Sequence, residues 1–269
     1  MPSDYRKVFD AIPEQFERYR PRYSPELFRD LITYAGIGPG SSVIEIGPGT
    51  GQATAPILET GCDYLAVELG ENFTQVMKKK FSGYPNFRIV NDDFVTHDFG
   101  DETFDLVYSA ASIQWIPEED AFSKTFALLK PGGKLAMMLT SADYKTPNEE
   151  LYTKIQKVYD GYFRPEAAYR EMKKPFVYSH ACDYGYVSFE KREFPGERVF
   201  TAEEYVAFSQ THSDHIVIPE PYRTPFFRGL YDAVKEAGDR IVFRDTYVLY
   251  LAEKPAHRCT GSKDGTQSV

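Results

Sequence analysis

The sequence predicts an α/β fold: a mostly parallel sheet of seven strands with helices on both faces and a helical addition before the last strand. Two observations lead to this prediction. Short apolar runs alternate with helical patterns between residues 43 and 139, and such alternation is typical of a parallel sheet covered on both faces. Roughly 100 residues then precede the last strand, which is more than a sheet connection needs.

The composition limits the partners. Acidic residues outnumber basic ones by 40 to 31, for a net charge of −9. Because nucleic acid is usually bound by clustered lysines and arginines, we predict no nucleic-acid partner. No run reaches the ~18 to 20 apolar residues of a membrane span, and the N-terminus is charged where a signal peptide is apolar. The three unpatterned cysteines indicate reduced thiols and no metal. We therefore expect a cytoplasmic protein without a membrane partner.

Residues 1–35 are predicted to form an N-terminal helical cap. Apolar residues at helical spacing indicate a helix over 4–20, interrupted at Pro13. Ser24 and Pro25 supply an N-cap and a first-turn proline for a second helix, which ends near Gly36.

Residues 36–140 are predicted to form the core. Strands are expected at 43–46, 64–68, 87–90, 104–109 and 134–139, and helices from the loop after the first strand to about 61, at 73–81 and at 121–129. The alternation of strand and helix stops after Thr140.

The region 141–240 is expected to cover a substrate and to include the sixth strand. It contains an amphipathic helix marked by Leu151, Ile155, Val158, Tyr159 and Tyr162, a strand over 185–194 and a helix over 226–234. Residues 241–255 would form the final strand of the core sheet, and the tail 256–269 is predicted to be disordered.

Three glycines follow the first strand and open a helix: Gly47, Gly49 and Gly51. Such a loop turns sharply and leaves free backbone amides at a helix N-terminus. The dinucleotide fingerprint places its third glycine one residue later, where Gln52 stands, so the spacing disfavours an NAD-type oxidoreductase. Glu68 ends the second strand 17 residues after Gly51, where a carboxylate can bind both hydroxyls of a ribose.

Other acidic residues also stand at strand ends. Glu45 ends the first strand, where it would lie near a ligand's ammonium group. Asp93 and Phe94 follow the third strand, and they suit the amino group and the ring of adenine. Asp92 would fill the role of Asp93 equally, and the sequence leaves this choice open. The segment 128–133, with the sequence LLKPGG, ends a helix and turns into the fifth strand.

Together these motifs resemble the class I methyltransferases that use S-adenosylmethionine (SAM), over about residues 40–140. Within that family the chain looks like the small-molecule branch that includes the trans-aconitate methyltransferases. The closer match rests on the segments 19–27 (YRPRYSPEL), 112–116 (SIQWI), 200–205 (FTAEEY) and 213–215 (SDH). The resemblance implies a Rossmann-like fold and SAM as the cofactor.

The resemblance also implies roles for individual residues. The three glycines would line the methionine and ribose portion of the cofactor, Glu68 would bind the ribose, and Asp93 with Phe94 would hold the adenine. The full set of expected cofactor-binding residues is Tyr19, Glu45, Gly47, Gly49, Gly51, Glu68, Leu69, Asp93, Phe94 and Ser109.

The expected substrate-binding residues are Arg20, Tyr23, Gln114, Trp115 and His215. The catalytic residue stays unassigned, with Trp115, His212 and His215 as candidates. Packing would explain Trp115 equally well, and the two histidines lack a third ligand for a metal.

The two kinds of acceptor require different groups. Arg20, Arg22 or Arg223 would orient an anionic acceptor, whereas a histidine would act as general base for a hydroxyl or an amine. We expect methyl transfer to a small molecule, and analogy with the family favours the oxygen of a carboxylic acid. A SAM-binding protein without turnover is the alternative, and an NAD-type oxidoreductase has less support. The sequence does not decide between O- and N-methylation, whether a base is used, or the oligomeric state.

Overall fold

A computed structural model describes residues 5–172 and 175–256. The predicted disordered tail therefore lies outside the described residues from position 257 onward, as does Cys259.

The strands are β1 (Ser42–Ile46), β2 (Asp63–Glu68), β3 (Phe87–Asn91), β4 (Phe104–Ala110), β5 (Leu129–Asp143), β6 (Val187–Phe200) and β7 (Ile241–Glu253). The α-helices are α1 (Pro13–Tyr19), α2 (Pro25–Ala35), α3 (Thr54–Leu58), α4 (Glu71–Lys80), α5 (Glu118–Leu128), α6 (Glu149–Tyr162), α7 (Ala167–Met172), α8 (Ala202–Ser209), α9 (Ser213–Ile216) and α10 (Arg223–Glu236). Short 3-10 helices span Tyr5–Ala11, Ile113–Trp115, Thr146–Asn148 and Tyr178–Tyr184.

The strands form one seven-stranded sheet in the order β3-β2-β1-β4-β5-β7-β6. Strand β7 runs antiparallel to both of its neighbours, while the pairs from β3 to β5 are parallel. This arrangement confirms the predicted Rossmann-like fold class. The chain leaves β1 towards β2 on one side and returns to β4 on the other, and open α/β sheets bind ligands beyond the carboxyl ends of their strands at such a point.

The N-terminal helices begin and end where the sequence predicts. The helical stretch before residue 20 is interrupted at Ile12, and Pro13 begins α1. The Ser24 hydroxyl caps α2 by accepting a hydrogen bond from the Leu27 amide, and Gly36 ends the helix in the left-handed conformation. These local signals fix the path of the chain as it approaches the sheet.

Two apolar clusters cover the two faces of the sheet. Successive residues of β1 belong to opposite clusters, with Val43 on the α2 side and Ile44 on the α5 side. Because both faces are covered, the inner strands read as continuous apolar runs rather than alternating ones.

A third cluster builds the addition from α6, α8, α10 and the first residues of β7. Leu151 and Ile155 of α6 are buried in it, as the amphipathic pattern predicts. The inclusion of Tyr162 in that apolar face is wrong, because this last residue of α6 is exposed. Among the described residues, no helix is long and apolar enough to cross a bilayer.

Two strands differ from the predicted bounds. Strand β5 extends to Asp143 because it pairs with β7 as far as Arg244. Strand β6 ends at Phe200 rather than at 194, since its pairing with β7 continues to Ile241. The second half of β6 alternates half-buried and exposed residues and carries a proline and charges, which conceal a strand from a search for apolar runs.

Candidate active site

A cavity of about 720 Å³ lies at the carboxyl ends of the strands, with a size in the range of small-molecule sites. Its walls come from the loops after β1, β2, β3 and β4, from the end of β5, from the N-terminal segment, and from the addition. The sequence-predicted residues that line it are Arg20, Tyr23, Gly47, Gly49, Glu68, Leu69, Asp92, Asp93, Phe94, Gln114, Trp115, His212 and His215.

The glycine loop packs against the loop that follows β4. Gly47 has a φ of +61°, and a Cβ atom there would lie 2.6 Å from Oγ of Ser112. The hydroxyl of Ser112 donates to the carbonyl oxygen of Ile46, which joins the two loops at the switch point of the sheet. A side chain at position 47 would separate them.

Glu68 connects the tip of β2 to the glycine loop. Its side chain is almost completely buried at 6% exposure, and its Oε2 accepts a hydrogen bond of 2.9 Å from the Gly49 amide. Its Oε1 accepts a second bond of 2.8 Å from the Gly70 amide. Burial raises the pKa of Glu68 to about 7, although both backbone bonds act in the opposite direction. The carboxyl group is thus held at the cavity wall with acceptor sites left over.

The acidic pair after β3 lies at one end of the cavity. Asp93 forms an ion pair of 2.8 Å with Arg6 and accepts a 3.0 Å hydrogen bond from the Val95 amide. Asp92 forms a contact of 2.9 Å between its Oδ2 and Nδ1 of His97. Both carboxylates line the cavity, so the choice between them for adenine stays a prediction.

Aromatic rings of the N-terminal segment form the adjoining wall. The Phe9 ring meets Trp115 edge to face with centroids 5.7 Å apart, and Phe16 lies 4.9 Å from Phe73 of α4. The Asp10 carboxylate fixes this segment, because its Oδ1 accepts a 2.9 Å hydrogen bond from the Phe73 amide in the first turn of α4.

Four predicted cofactor residues do not line the cavity, and their role in cofactor binding stays a prediction: Tyr19, Glu45, Gly51 and Ser109. Tyr19 packs on the apolar cluster of the addition. The Ser109 hydroxyl is buried and donates to the Ile46 carbonyl oxygen, so it supports the glycine loop from beneath.

Glu45 is fully buried and faces the α2 side of the sheet. Its Oε2 accepts hydrogen bonds from the hydroxyls of Thr54, at 2.5 Å, and of Tyr64. Burial raises the pKa of Glu45. The carboxyl group therefore holds the start of α3 against β2. Its Oε1 is buried without a hydrogen-bond partner among the described residues, and the expected contact with a ligand's ammonium group stays a prediction.

Gly51 serves packing between the glycine loop and α4. Its φ is +85°, and a Cβ atom there would lie 2.8 Å from both Sδ of Met77 and the ring of Phe81. Gly51 therefore allows close contact between backbone and helix, and its predicted role in lining the methionine and ribose portion stays a prediction.

The opposite end of the cavity is built from Arg20, Tyr23 and residues of the addition. Burial lowers the pKa of Arg20, whose guanidinium has no carboxylate oxygen of a described residue within 4.0 Å. The other two candidate arginines lie elsewhere. Arg22 is exposed and pairs with Glu17, and Arg223 is exposed at the start of α10.

His212 and His215 lie at this end of the cavity. Nδ1 of His215 lies 2.8 Å from the Ser209 carbonyl oxygen and therefore donates to it, which leaves Nε2 to accept from the Tyr159 hydroxyl at 3.1 Å. Both ring nitrogens of His215 are thus engaged. Burial lowers the pKa of His215 and lowers that of His212 well below its ordinary value, so both rings are neutral at neutral pH.

Two arginines of the cavity were missed by the sequence analysis. Arg6 lies in the first 3-10 helix and reaches Asp93, and Arg198 lies on β6 at the end that contains Arg20. The only sequence signal for Arg198 is the alternation of exposed and half-buried residues along β6, in which it lies between Glu197 and Val199. This alternation does not show which other strand or helix the Arg198 side chain contacts.

Comparison with known proteins supports methyltransferase activity. Residues 44–137 match the family model of a methyltransferase domain. The chain therefore contains a methyltransferase domain over these residues, and it is a SAM-dependent methyltransferase. A methyltransferase of Schizosaccharomyces pombe, whose description gives no substrate, is 23% identical over 92% of this chain and 97% of its own length. The malonyl-[acyl-carrier protein] O-methyltransferase of a Marinomonas species is 28% identical over 47% of this chain and 48% of its own. The phosphoethanolamine N-methyltransferase 2 of Haemonchus contortus, solved with S-adenosylhomocysteine, shares the fold with a TM-score of 0.54 at 18% identity, over 93% of this chain and 60% of that one.

The cavity of the methyltransferase fits an adenosyl group by its own chemistry. A carboxylate offers about four acceptor positions, and two backbone amides occupy two of those on Glu68. The remaining positions suit the two hydroxyls of a ribose. Next to them lie Leu69 and Phe94, which give apolar surface for a flat ring.

The raised pKa of Glu68 gives the methyltransferase a pH-dependent affinity for nucleosides. The ionised carboxylate is the better acceptor for hydroxyl groups, and below pH 7 most of Glu68 is protonated. We expect the affinity for 5′-deoxy-5′-methylthioadenosine, which has no group that titrates near neutral pH, to rise roughly tenfold from pH 6 to pH 8. Calorimetry at both pH values tests this. The same rise in a Glu68→Gln variant would assign it to another group.

Proposed function

We propose that the methyltransferase transfers the methyl group of SAM to the oxygen of a small carboxylic acid, in the cytoplasm, as expected for the branch that includes the trans-aconitate methyltransferases. The observation that carries the proposal is the Arg20 guanidinium, which lines the cavity without a carboxylate of a described residue within 4.0 Å. A partly buried cation of this kind is stabilised by an anionic ligand. The O-methyltransferase of Marinomonas, by its name, also acts on oxygen.

SAM supplies an electrophilic methyl group on a sulfonium sulfur. An ionised carboxylate is already nucleophilic, so the chain has to hold it in line with that methyl group and exclude water. Arg20 would bind and orient the anion, and the rings of Trp115, Tyr159 and Phe163 would form the dry wall beside it. No base is needed, which agrees with a His215 whose two nitrogens are both engaged.

The acceptor class is tested with methyl-labelled SAM and matched probes. Malonate, benzoate and trans-aconitate represent acids. Benzyl alcohol and benzylamine share the phenyl ring of benzoate but carry a hydroxyl and an amine in place of the carboxylate. Methyl esters release volatile methanol in alkali, whereas ethers and N-methyl groups do not. We expect alkali-labile label from at least one acid. Label confined to benzylamine or benzyl alcohol would contradict carboxyl methylation.

Arg20→Gln should raise the KM for an accepted acid by about tenfold or more, because a charge-assisted hydrogen bond to the acceptor is lost. The affinity for SAM should not change, since Glu68 and the glycine loop stay intact. Steady-state kinetics and calorimetry measure the two quantities. Arg18→Gln is the matched control, because Arg18 is exposed and does not line the cavity. An equal rise of KM in both variants would show that Arg20 has no specific role.

A further inference from the structure

We propose that Arg198 on β6, held in place by Asp245 on β7, is a second anion-binding residue, and that it binds the acceptor's carboxylate together with Arg20. Nothing in the sequence motifs assigns either Arg198 or Asp245. The inference rests on the proposed function, because it names the group that selects acids among acceptors.

The Arg198 guanidinium has a fixed position. It lies over three aromatic rings, at 4.8 Å from the centroid of Phe208, 5.4 Å from Phe200 and 5.5 Å from Phe243. These contacts restrict the side chain to one orientation at the wall of the cavity. A guanidinium that is ordered before binding loses little entropy when a ligand arrives.

That guanidinium forms a bidentate ion pair with Asp245. Asp245 is buried at 3% exposure, and its two oxygens accept from Nε of Arg198 at 2.5 Å and from Nη2 at 2.9 Å. The remaining nitrogen, Nη1, is buried and has no hydrogen-bond partner in the part of the chain that the structure describes. Arginine cannot lose its proton in a protein, so these buried N–H groups need an acceptor from elsewhere.

Positive charge is only partly balanced at this end of the cavity. Arg198 and Arg20 line the same end of the cavity, and the charge of Arg198 helps to lower the pKa of Arg20. Asp245 balances one of the two cations through direct bonds. Asp214 also faces Arg20, but it forms no ion pair with it, and its side chain is 37% exposed. His212 and His215 are neutral at neutral pH and do not add positive charge. An anion between the two guanidiniums would reduce their repulsion and satisfy Nη1.

Asp245 is in this proposal a positioning residue, because it acts on the acceptor through Arg198. Removing one partner of a buried ion pair leaves the other uncompensated, so Arg198→Met alone is expected to fold poorly. The double variant Arg198→Met with Asp245→Asn removes both charges at similar volume. It leaves no uncompensated buried charge, so it should fold and allow binding to be measured. Arg192→Met is the matched control, since Arg192 lies on the same strand and pairs with Asp30 and Glu190 outside the cavity.

The experiment is calorimetric binding of benzoate, malonate and trans-aconitate to the S-adenosylhomocysteine-loaded protein, with benzamide as the uncharged match for benzoate. We expect the double variant to bind an acid about 10- to 100-fold more weakly than the wild type. Benzamide and S-adenosylhomocysteine should bind both proteins equally, and the Arg192→Met control should bind the acids normally. The Arg198→Lys variant should bind the acid more tightly than the double variant but more weakly than the wild type. Lysine keeps the positive charge but lacks the planar guanidinium that can bind a carboxylate through two hydrogen bonds.

The outcomes separate the two proposals. If the wild type binds and methylates an acid, and the double variant binds that acid equally well, then Arg198 is not a binding residue and the proposed function stands. If the wild type neither binds nor methylates any of the acids, the proposed function fails and the role of Arg198 fails with it. Equal weakening of benzoate and benzamide would assign Arg198 a packing role and overturn the inference.

Discussion

Glu68→Ala should weaken the binding of SAM by about tenfold or more while the protein stays folded. The carboxylate provides the acceptors proposed for the ribose and also accepts hydrogen bonds from the Gly49 and Gly70 amides. Alanine removes both sets of interactions, so the glycine loop loses its connection to β2 as well as a ligand contact. Calorimetry with SAM and S-adenosylhomocysteine measures the affinity, and circular dichroism reports the fold.

Two further variants sharpen this test. Glu71→Ala removes an exposed carboxylate three residues later, outside the cavity, and should leave the affinity for SAM unchanged. Glu68→Gln keeps the size of the side chain and one carbonyl acceptor. Its loss of affinity for SAM should therefore lie between the losses in Glu68→Ala and Glu71→Ala. Wild-type affinity in Glu68→Ala would mean that the cofactor lies away from the tip of β2.

Gly51→Ala should destabilise the protein by about 2 to 5 kcal/mol, which combines the cost of a left-handed backbone with that of overpacking. The added Cβ atom would lie 2.8 Å from Met77 of α4 and from Phe81, which follows that helix, and these side chains are buried in the cluster on the α2 side. They have little room to move. Urea unfolding followed by fluorescence gives the free energy of unfolding.

Gly40→Ala is the matched control for that substitution. Gly40 also has a positive φ, at +90°, but a Cβ atom there has no neighbour within 4 Å. The control therefore contains the backbone cost, about 1 to 2 kcal/mol, without the steric one. An equal loss of stability at both positions would show that the contact of Gly51 with α4 contributes nothing.

The core of the fold could be predicted because its strands are buried on both faces. Val43 and Ile44 lie on opposite sides of the sheet, and both are apolar. The glycine loop and Glu68 were also predictable, since carboxyl ends of parallel strands meet at one edge. The sequence shows that Glu45 precedes the loop, but the face on which it lies depends on the packing of α2 and α3, so the inward orientation could not be predicted.

The acceptor end could be predicted only in part, since its residues meet through long-range contacts. Arg198 and Asp245 are 47 positions apart, and they meet because β6 and β7 pair antiparallel in one particular register. Local patterns give the type of an element, whereas the register of two distant strands depends on the whole sheet. Arg6 and Asp93 likewise meet because the N-terminal segment docks on α4.

The docking of Asp10 on α4 should also influence which nucleotides the protein accepts. Asp10 uses the amides at the N-terminus of α4, a place that otherwise attracts phosphate, and it adds a negative charge close to Glu68. A ribose that carries a 2′-phosphate, as in NADP, would bring its charge against two carboxylates and would find those amides taken. We therefore expect the molecule to discriminate against phosphorylated ribose by repulsion.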